Sequence, residues 1–326
     1  MGLFSKKKKT YAERFPGAAA AYGLLSSEQK RVLDDFSALE KTHGKEDKRV
    51  GLERIVGTYL VPKLGGTLSA KELKRRSQLV YDGCLTALRA APLTVNVNAS
   101  LFAEAYFLQG SEVKTVFTTK AKDWKYHQHR HAVEANAFGF KIDWSVPVQR
   151  AAEARPIYAG LNFSKHPYGA AEAYGSVALV LKQTVHDRCT YINTDTFSND
   201  FAFADGTEAK VAESRNRICT SAQMDTLLAY ISDNQLKALC QVAESAYVFG
   251  DYPPNYIEAH VYGGIKWARD LEAISINKGK FAQEANLISA KVDVATLKAN
   301  VIAFATKHSA SAKIYKLDNV EEVLRP

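Results

Sequence analysis

Apolar residues in the first ninety positions recur at the spacing of amphipathic helices. Two such patterns start at residues that can cap a helix, Ser26 and Ser69. Each is followed three positions later by Gln or Glu, as in a capping box. The first pattern ends near Gly44 and the second before Pro92. The sequence therefore predicts a helical N-terminal region over residues 26–91.

From residue 93 the pattern changes to short alternating or β-branched runs that are typical of strands. The predicted strands are Leu93–Val97, Val113–Phe117, Ile157–Asn162, Ser176–Lys182, Cys189–Asn193 and Tyr256–Tyr262. Turn residues bound each run, and this spacing favours an antiparallel or split sheet over repeated strand–helix–strand units. We therefore expect an α+β fold.

Helical spacing returns between the last two predicted strands and again after them. Gln223–Ile231 and Gln235–Phe249 have helical patterns, the second with Ser232 as its cap. Beyond Ile276 the pattern predicts a C-terminal helical segment over residues 277–326, which ends in a polar tail.

Composition indicates a folded protein. The chain has 326 residues, of which 46% are hydrophobic and 24% charged, so one or two domains with a sizeable core are expected. Its four cysteines are widely separated and form no disulfide framework or zinc motif, which favours a reducing environment. No apolar run approaches the length of a membrane-spanning helix.

The positive charge is concentrated at the N-terminus. The net charge is +8, and the run Lys6–Lys9 with Arg14 supplies about half of it. We interpret residues 1–25 as a basic flexible segment. An arm for an anionic membrane surface or a nucleic acid is the alternative.

Arg155 is the first candidate for a functional site. It precedes Pro156 at the start of a predicted strand that contains Gly160, where the missing side chain would let a ligand approach. A guanidinium at such a position suits a pyrophosphate because its planar fork donates two hydrogen bonds. The alternative is a tight corner in the sheet with Arg155 in a surface ion pair.

A second candidate is the loop of small residues that leads to Tyr174-Gly175-Ser176. It has no Walker or dinucleotide-binding glycine pattern. If the strand begins here, Tyr174 and Ser176 share one face, with an aromatic plate beside a hydroxyl. A turn that enters a core strand is the alternative.

The third candidate is the segment from Tyr256 to Gly263. Alternation places Tyr256, Glu258, His260 and Tyr262 on one face of a strand. On a solvent-facing edge these residues would have no special role. In a cleft, a carboxylate between aromatic side chains suits catalysis.

Three histidines alternate at His127, His129 and His131 and would share one face of a strand. Cationic residues lie in the same stretch, and no acid follows Asp123 within it, so we expect no metal site.

Several of the segments from Leu93 onwards, taken in chain order, resemble a bacterial effector family, the CteC-like proteins. This family was long known only as a domain of unknown function, and its members ADP-ribosylate ubiquitin on threonine. The residues that carry the resemblance are Leu93-Thr94-Val95-Asn96, Arg155 to Asn162, Gly169-Ala170-Ala171, Tyr174-Gly175-Ser176, Tyr256 to Gly263 and Arg269 to Ala273. They cover about Leu93 to Ile276. The resemblance implies a split antiparallel sheet of the ADP-ribosyltransferase type over residues 92–276.

The resemblance also implies roles in a site of the Arg-Ser-Glu type with NAD as co-substrate. Arg155 would hold the NAD phosphates or support the site, and Ser176 would orient the nicotinamide ribose. Glu258 would bind the 2′-hydroxyl of that ribose as the main catalytic group. Tyr158 and Tyr174 would stack on nicotinamide.

Asn162 and His260 complete the expected NAD-binding set. Related sites often carry a second Glu two positions after the first, where this chain has His260, so either position can correspond to the catalytic Glu of the family. Arg155 also precedes Pro156 instead of lying within its strand.

The function that the resemblance implies is a NAD-dependent mono-ADP-ribosyltransferase. It would be a secreted bacterial effector that acts in the host cytoplasm on a host protein, with ubiquitin as the expected partner. No nucleic-acid partner is expected, and membrane contact would be weak, through Lys6–Lys9. The alternatives are a NAD glycohydrolase, which uses water as the acceptor, and a non-catalytic module that binds nucleic acid or an anionic membrane.

Overall fold

The computed structural model describes residues 9–65, 68–113, 115, 124–140, 154–196, 208–247, 256–287, 292–316 and 319–325. Some sequence predictions fall on other residues. The lysines at positions 6–8, the predicted strand beyond Val113 apart from position 115, and the last two residues of the predicted helix Gln235–Phe249 lie outside the described part of the chain.

The helices include those predicted from the N-terminal capping patterns. They are Tyr11–Arg14 (α1), Ala19–Gly23 (α2), Ser27–Ile55 (α3), Val61–Leu64 (α4), Ala70–Ala90 (α5), Ala105–Gln109 (α6), Trp124–Phe138 (α7), Glu208–Arg215 (α8), Met224–Tyr230 (α9), Asp233–Ala243 (α10), Trp267–Asp270 (α11), Lys278–Leu287 (α12) and Val294–Lys307 (α13). A π-helical turn over Val56–Leu60 joins α3 to α4. The predicted caps Ser26, Ser69 and Ser232 each accept a hydrogen bond from the N–H three positions later.

Helix α3 passes through Gly44 and ends at Ile55, so the predicted end near Gly44 is wrong. A glycine inside a helix costs about 1 kcal/mol, and tertiary packing outweighs that cost. The packing is close at Gly51, where an added Cβ would lie 3.1 Å from the Tyr81 ring and 3.2 Å from the Leu228 Cβ.

The strands form one large sheet and a two-stranded ribbon. They are Leu93–Val97 (β1), Glu112–Val113 (β2), Ile157–Leu161 (β3), Val177–Leu181 (β4), Cys189–Ile192 (β5), Cys219–Thr220 (β6), Ile257–Val261 (β7), Ile265–Lys266 (β8), Leu271–Asn277 (β9), Ser311–Lys316 (β10) and Asn319–Leu324 (β11). The large sheet has the order β11-β10-β9-β4-β1-β3-β7-β5-β6. Its neighbours are antiparallel except for β9 and β10. The fold is therefore α+β with a mostly antiparallel sheet, as predicted.

The prediction of a polar C-terminal tail is wrong, because β10 and β11 extend the sheet there. Ala312 and Ile314 are buried on β10, while β11 is rich in charged residues. Its Glu321 forms an ion pair of 2.7 Å with Lys278 of α12. In β11 two glutamates separate Val320 from Val323 and Leu324, so the alternation of period two that would indicate a strand is absent.

One hydrophobic cluster joins the segments that the sequence separated. It contains Val80 of the helical N-terminal region, Leu93 and Ile257 of the sheet, and Phe304 of the C-terminal helices. These segments therefore share a core in the folded chain.

The segment predicted as flexible is ordered from Thr10 onwards. Thr10 caps α1 through a reciprocal capping box with Glu13. Tyr11 is 1% exposed and lies in a second hydrophobic cluster with Phe36 and Phe138. Residues 10–25 therefore belong to the packed fold.

Gly175 lies where a loop crosses β1, and this position tolerates no side chain. An added Cβ would lie 2.0 Å from the carbonyl carbon of Val97, which is a backbone atom and cannot rotate away. We expect Gly175→Ala to destabilise the protein by roughly 1–3 kcal/mol through overpacking. The free energy of unfolding in urea measures this loss. Gly57→Ala is the matched control, since no atom lies within 4 Å of its added Cβ. Equal stability of the two variants would contradict the argument.

Candidate functional site

A cleft of about 470 Å³ opens over the centre of the large sheet. Its walls come from β1, β3 and β7, from α7 and from the loops before β4 and after β5. The lining residues are Thr94, Val95, Asn96, Tyr126, Arg130, Tyr158, Ala159, Gly160, Ala171, Tyr174, Asp195, Tyr256 and Glu258.

Gly160 lies beside Glu258 in the sheet. The two residues pair across β3 and β7, and the glycine places no side chain next to the carboxylate. The opposite wall is close, since an added Cβ at Gly160 would lie 2.6 Å from the Ala170 Cβ. The close approach of this loop therefore requires a glycine.

Polar side chains of β1 hold that loop. Thr94 Oγ1 accepts a 2.8 Å hydrogen bond from the N–H of Ala170, and Asn96 Oδ1 accepts one of 3.2 Å from Ala171. The amide nitrogen of Asn96 donates to the carbonyl of Tyr168 at 2.7 Å. Two segments that are 75 positions apart in the sequence therefore build one wall of the cleft.

Glu258 is buried, with 2% exposure, and firmly held. Its Oε1 accepts hydrogen bonds from Thr196, at 3.0 Å from the N–H and 2.6 Å from the hydroxyl. His260 Nε2 lies 2.9 Å from the same oxygen. The hydroxyl of Tyr256 is 3.4 Å from Oε2. One carboxylate oxygen is thus fixed by donors, while among the described residues the other has a long contact with Tyr256.

The environment keeps this carboxyl group ionised. Burial alone would raise the pKa of Glu258, but the hydrogen bond and charge of His260 and the charge of Arg130 lower it below its ordinary value. His260 contacts the Thr190 hydroxyl through Nδ1 at 3.0 Å, which fixes the orientation of its ring. The predicted common face of Tyr256, Glu258 and His260 is therefore confirmed.

Arg130 lines the cleft with a cationic side chain and was not predicted as a site residue. Its guanidinium carbon lies 3.6 Å from the centroid of the Tyr158 ring, and its Nε lies 3.2 Å from Glu134 Oε1. Burial would lower the pKa of Arg130, but negative charge around it, including that of Glu134 and Glu258, raises the pKa above its ordinary value. The guanidinium is permanently charged.

Sequence reasoning missed Arg130 because it assigned the histidine run to a strand. The run belongs to helix α7, so the three imidazoles do not share a face as predicted. Arg130 and Glu134 stand four positions apart, which is the spacing of an ion pair on a helix. That spacing was the signal in the sequence that could have identified Arg130 as part of a helical ion pair.

Arg155 does not line the cleft. It is 3% exposed, and its guanidinium lies 3.3 Å from Glu134 Oε2 and 3.1 Å from His131 Nδ1. This placement therefore does not favour direct contact between Arg155 and the NAD phosphates. Arg155 instead supports the site, because Glu134 bonds in turn to Arg130 and to the Tyr158 hydroxyl.

Ser176 also lies away from the cleft. Its hydroxyl donates a 2.5 Å hydrogen bond to Glu284 Oε2, and its side chain is buried. Strand β4 begins after it at Val177, and Tyr174 belongs to a preceding 3-10 turn, so the predicted common face of Tyr174 and Ser176 is wrong. Ser176 is a structural residue in this arrangement.

The remaining predicted residues divide between the cleft and its support. Tyr158 and Tyr174 line the cleft. Asn162 does not, because its side chain closes a turn with the backbone of His166. His260 lies behind Glu258 as its hydrogen-bond partner.

Two tyrosines connect Glu258 to a second carboxylate, Asp195. The Tyr256 hydroxyl is 3.3 Å from that of Tyr174, which donates to Asp195 Oδ2 at 3.2 Å. Tyr174 is 58% exposed, so this end of the chain of hydroxyls is the solvent side of the cleft. Asp195 was not predicted either.

No metal cluster of three or more His, Cys, Asp or Glu side chains occurs in the described part of the chain. None of the helices within the described ranges is long and apolar enough to cross a membrane. The four cysteines are buried and free.

A scan against protein-family models and a search of curated protein sequences gave no match to this chain.

Proposed function

We propose that this protein is a NAD-dependent mono-ADP-ribosyltransferase whose sheet core is of the ADP-ribosyltransferase type. The observation that carries the proposal is the buried carboxylate of Glu258, which Thr196 and His260 hold at the base of an aromatic cleft. The family resemblance adds the biological setting. It suggests a secreted bacterial effector that acts in the host cytoplasm, with ubiquitin as the first acceptor to test.

Cleavage of the nicotinamide glycosidic bond develops positive charge on the ribose. A fixed carboxylate stabilises that charge without a metal ion, because its position and ionisation are set before the reaction begins. Glu258 meets both conditions through its donors Thr196 and His260. Its second oxygen, Oε2, is the one placed to contact the ribose.

Arg130 takes the role that the sequence assigned to Arg155. Its guanidinium lies 3.6 Å from the centroid of the Tyr158 ring and lines the cleft, and a guanidinium can donate bidentately to the diphosphate of NAD. The cleft volume of about 470 Å³ accommodates a part of the dinucleotide, whose diphosphate Arg130 would orient.

Aromatic side chains supply the remaining affinity. Tyr174 and Tyr256 meet edge to face, with centroids 6.0 Å apart, next to Glu258. Flat faces at this place suit the nicotinamide ring, which leaves as a neutral molecule. Tyr158 has its ring stacked on Arg130, so it positions the guanidinium instead of binding nicotinamide.

The test uses NAD that carries label in its adenylate part, with ubiquitin and, in parallel, a host-cell lysate as acceptors. We expect nicotinamide release together with label on a protein band. Nicotinamide release without a labelled protein would favour a NAD glycohydrolase. An absence of NAD turnover with every acceptor would contradict the proposal, and salt-sensitive binding to anionic vesicles or nucleic acid would then support a binding module.

A further inference from the structure

Among the residues that the structure describes, two carboxylates line the cleft, and their surroundings differ. Glu258 is 2% exposed and held by Thr196 and His260. Asp195 is half-buried and accepts a hydrogen bond from the exposed Tyr174. One carboxylate therefore lies at the base of the cleft and the other on its solvent side.

Glu258 is a poor proton acceptor. Although burial opposes ionisation, its hydrogen-bond donors and the charge of Arg130 hold its pKa below the ordinary value. A hydroxyl acceptor is a weak nucleophile until a base takes its proton. A transferase that uses a hydroxyl thus needs a second group, placed where the acceptor enters.

Asp195 has that position. The hydroxyls of Tyr256 and Tyr174 link the two carboxylates, through contacts of 3.4, 3.3 and 3.2 Å. Both carboxylates line the cleft, so a ligand bound there can contact one at the base and the other at the solvent side. Inverting glycosidases likewise use two carboxyl groups, one on each side of the reacting carbon.

We propose that Asp195 is the general base that activates a side-chain hydroxyl as the acceptor, an inference that rests on the proposed function. The Asp195 carboxylate takes the proton of the hydroxyl, and the oxygen forms a bond to C1′ of the ribose. The bond from C1′ to nicotinamide breaks, and its electron pair stays on the nicotinamide nitrogen. Glu258 stabilises the positive charge that develops on the ribose as the bond to nicotinamide breaks and the bond to the acceptor forms.

The test distinguishes a general base from a residue that only binds NAD or stabilises the fold. In Asp195→Asn we expect transfer to the protein acceptor to fall by about 10²–10⁴-fold, the usual contribution of a general base. Binding of labelled NAD, measured by equilibrium dialysis, should change by less than about threefold, because the substituted amide keeps the shape of the side chain. Asp82→Asn is the control, since it makes the same substitution at an exposed residue outside the cleft. It should keep its transfer activity.

Azide provides the decisive readout, because it is an anion that needs no base. In Asp195→Ala, added azide should restore nicotinamide release and form ADP-ribosyl azide, whereas Glu258→Gln should gain nothing from it. Transfer that stays within a few-fold of wild type in Asp195→Asn would overturn the inference. So would a loss that azide does not restore, or a loss of NAD binding. A wild-type protein that releases no nicotinamide would instead overturn the proposed function itself.

Discussion

Glu258→Gln should lower the rate of nicotinamide release by about 10²–10³-fold, the usual effect of removing one preorganised electrostatic contact to a transition state. Glutamine has nearly the same shape and keeps a side-chain oxygen for the two Thr196 donors. Only the negative charge is lost. The expected result is therefore a fall in kcat with little change in NAD binding, as measured by steady-state kinetics and equilibrium dialysis.

Glu284→Gln is the matched control for this variant. Glu284 is also a buried carboxylate, and it accepts hydrogen bonds from the N–H of Ala99 and from Ser176, but it does not line the cleft. This variant should lose stability and keep its turnover per folded molecule. If both variants lose the same turnover, or if Glu258→Gln stays within threefold of wild type, Glu258 is not the catalytic group.

The pH profile gives an independent test of the same residue. The pKa of Glu258 lies below its ordinary 4.5 because its hydrogen-bond donors and nearby positive charge outweigh burial. The carboxylate therefore stays ionised through mild acid. We expect no loss of nicotinamide release from this group between pH 7 and about 5, and a loss only below its lowered pKa. An acid limb centred above pH 5 that disappears in Glu258→Gln would contradict this.

Asp270→Asn should destabilise the fold by about 3–5 kcal/mol, the cost of leaving one partner of a buried ion pair alone. Arg188 and Asp270 are 2.9 Å apart, with side chains 2% and 3% exposed. Arg188 also donates to the backbone carbonyls of Tyr262 and Gly264, so it holds the chain that follows β7. The free energy of unfolding in urea measures the effect.

Two further variants test whether the loss of stability comes from the buried ion pair of Arg188 and Asp270. Asp233→Asn removes one partner of an exposed pair, in which Asp233 is 66% exposed and Arg54 22%, and it should change stability little. The double variant Arg188→Met with Asp270→Leu should recover much of the loss, because no buried charge remains unpaired. A loss in Asp270→Asn no larger than in Asp233→Asn would mean that solvent screens the buried pair.

The effect of Asp270 should also depend on pH. Burial would raise its pKa, but the hydrogen bond from Arg269 and the charge of Arg188 hold it below the ordinary value of 3.8. Since the folded pKa is lower than the unfolded one, the contribution of Asp270 is complete above about pH 5 and is lost as the pH falls through the folded pKa. The stability gap between wild type and Asp270→Asn should therefore narrow in acid.

Local patterns determined a large part of this protein. Caps such as Ser26 and Ser232 form short-range hydrogen bonds, so three or four neighbouring residues suffice to identify a helix start. Alternation in the segment from Tyr256 to Tyr262 likewise fixed which side chains share a face, because the period of a strand is two. The sequence thereby identified the α+β class and Glu258 as the candidate catalytic carboxylate.

Tertiary structure alone decided which residues meet in the cleft. Arg155 and Ser176 have suitable chemistry, but Glu134 and Glu284, which are 21 and 108 positions away, bind them outside the cleft. Arg130 enters it because α7 places it against Tyr158 of β3, and Asp195 enters it because β5 pairs with β7 and ends next to Glu258. A residue pattern reports the periodicity of its own element, whereas a site is built by contacts between elements, whose energies depend on partners far away in the chain.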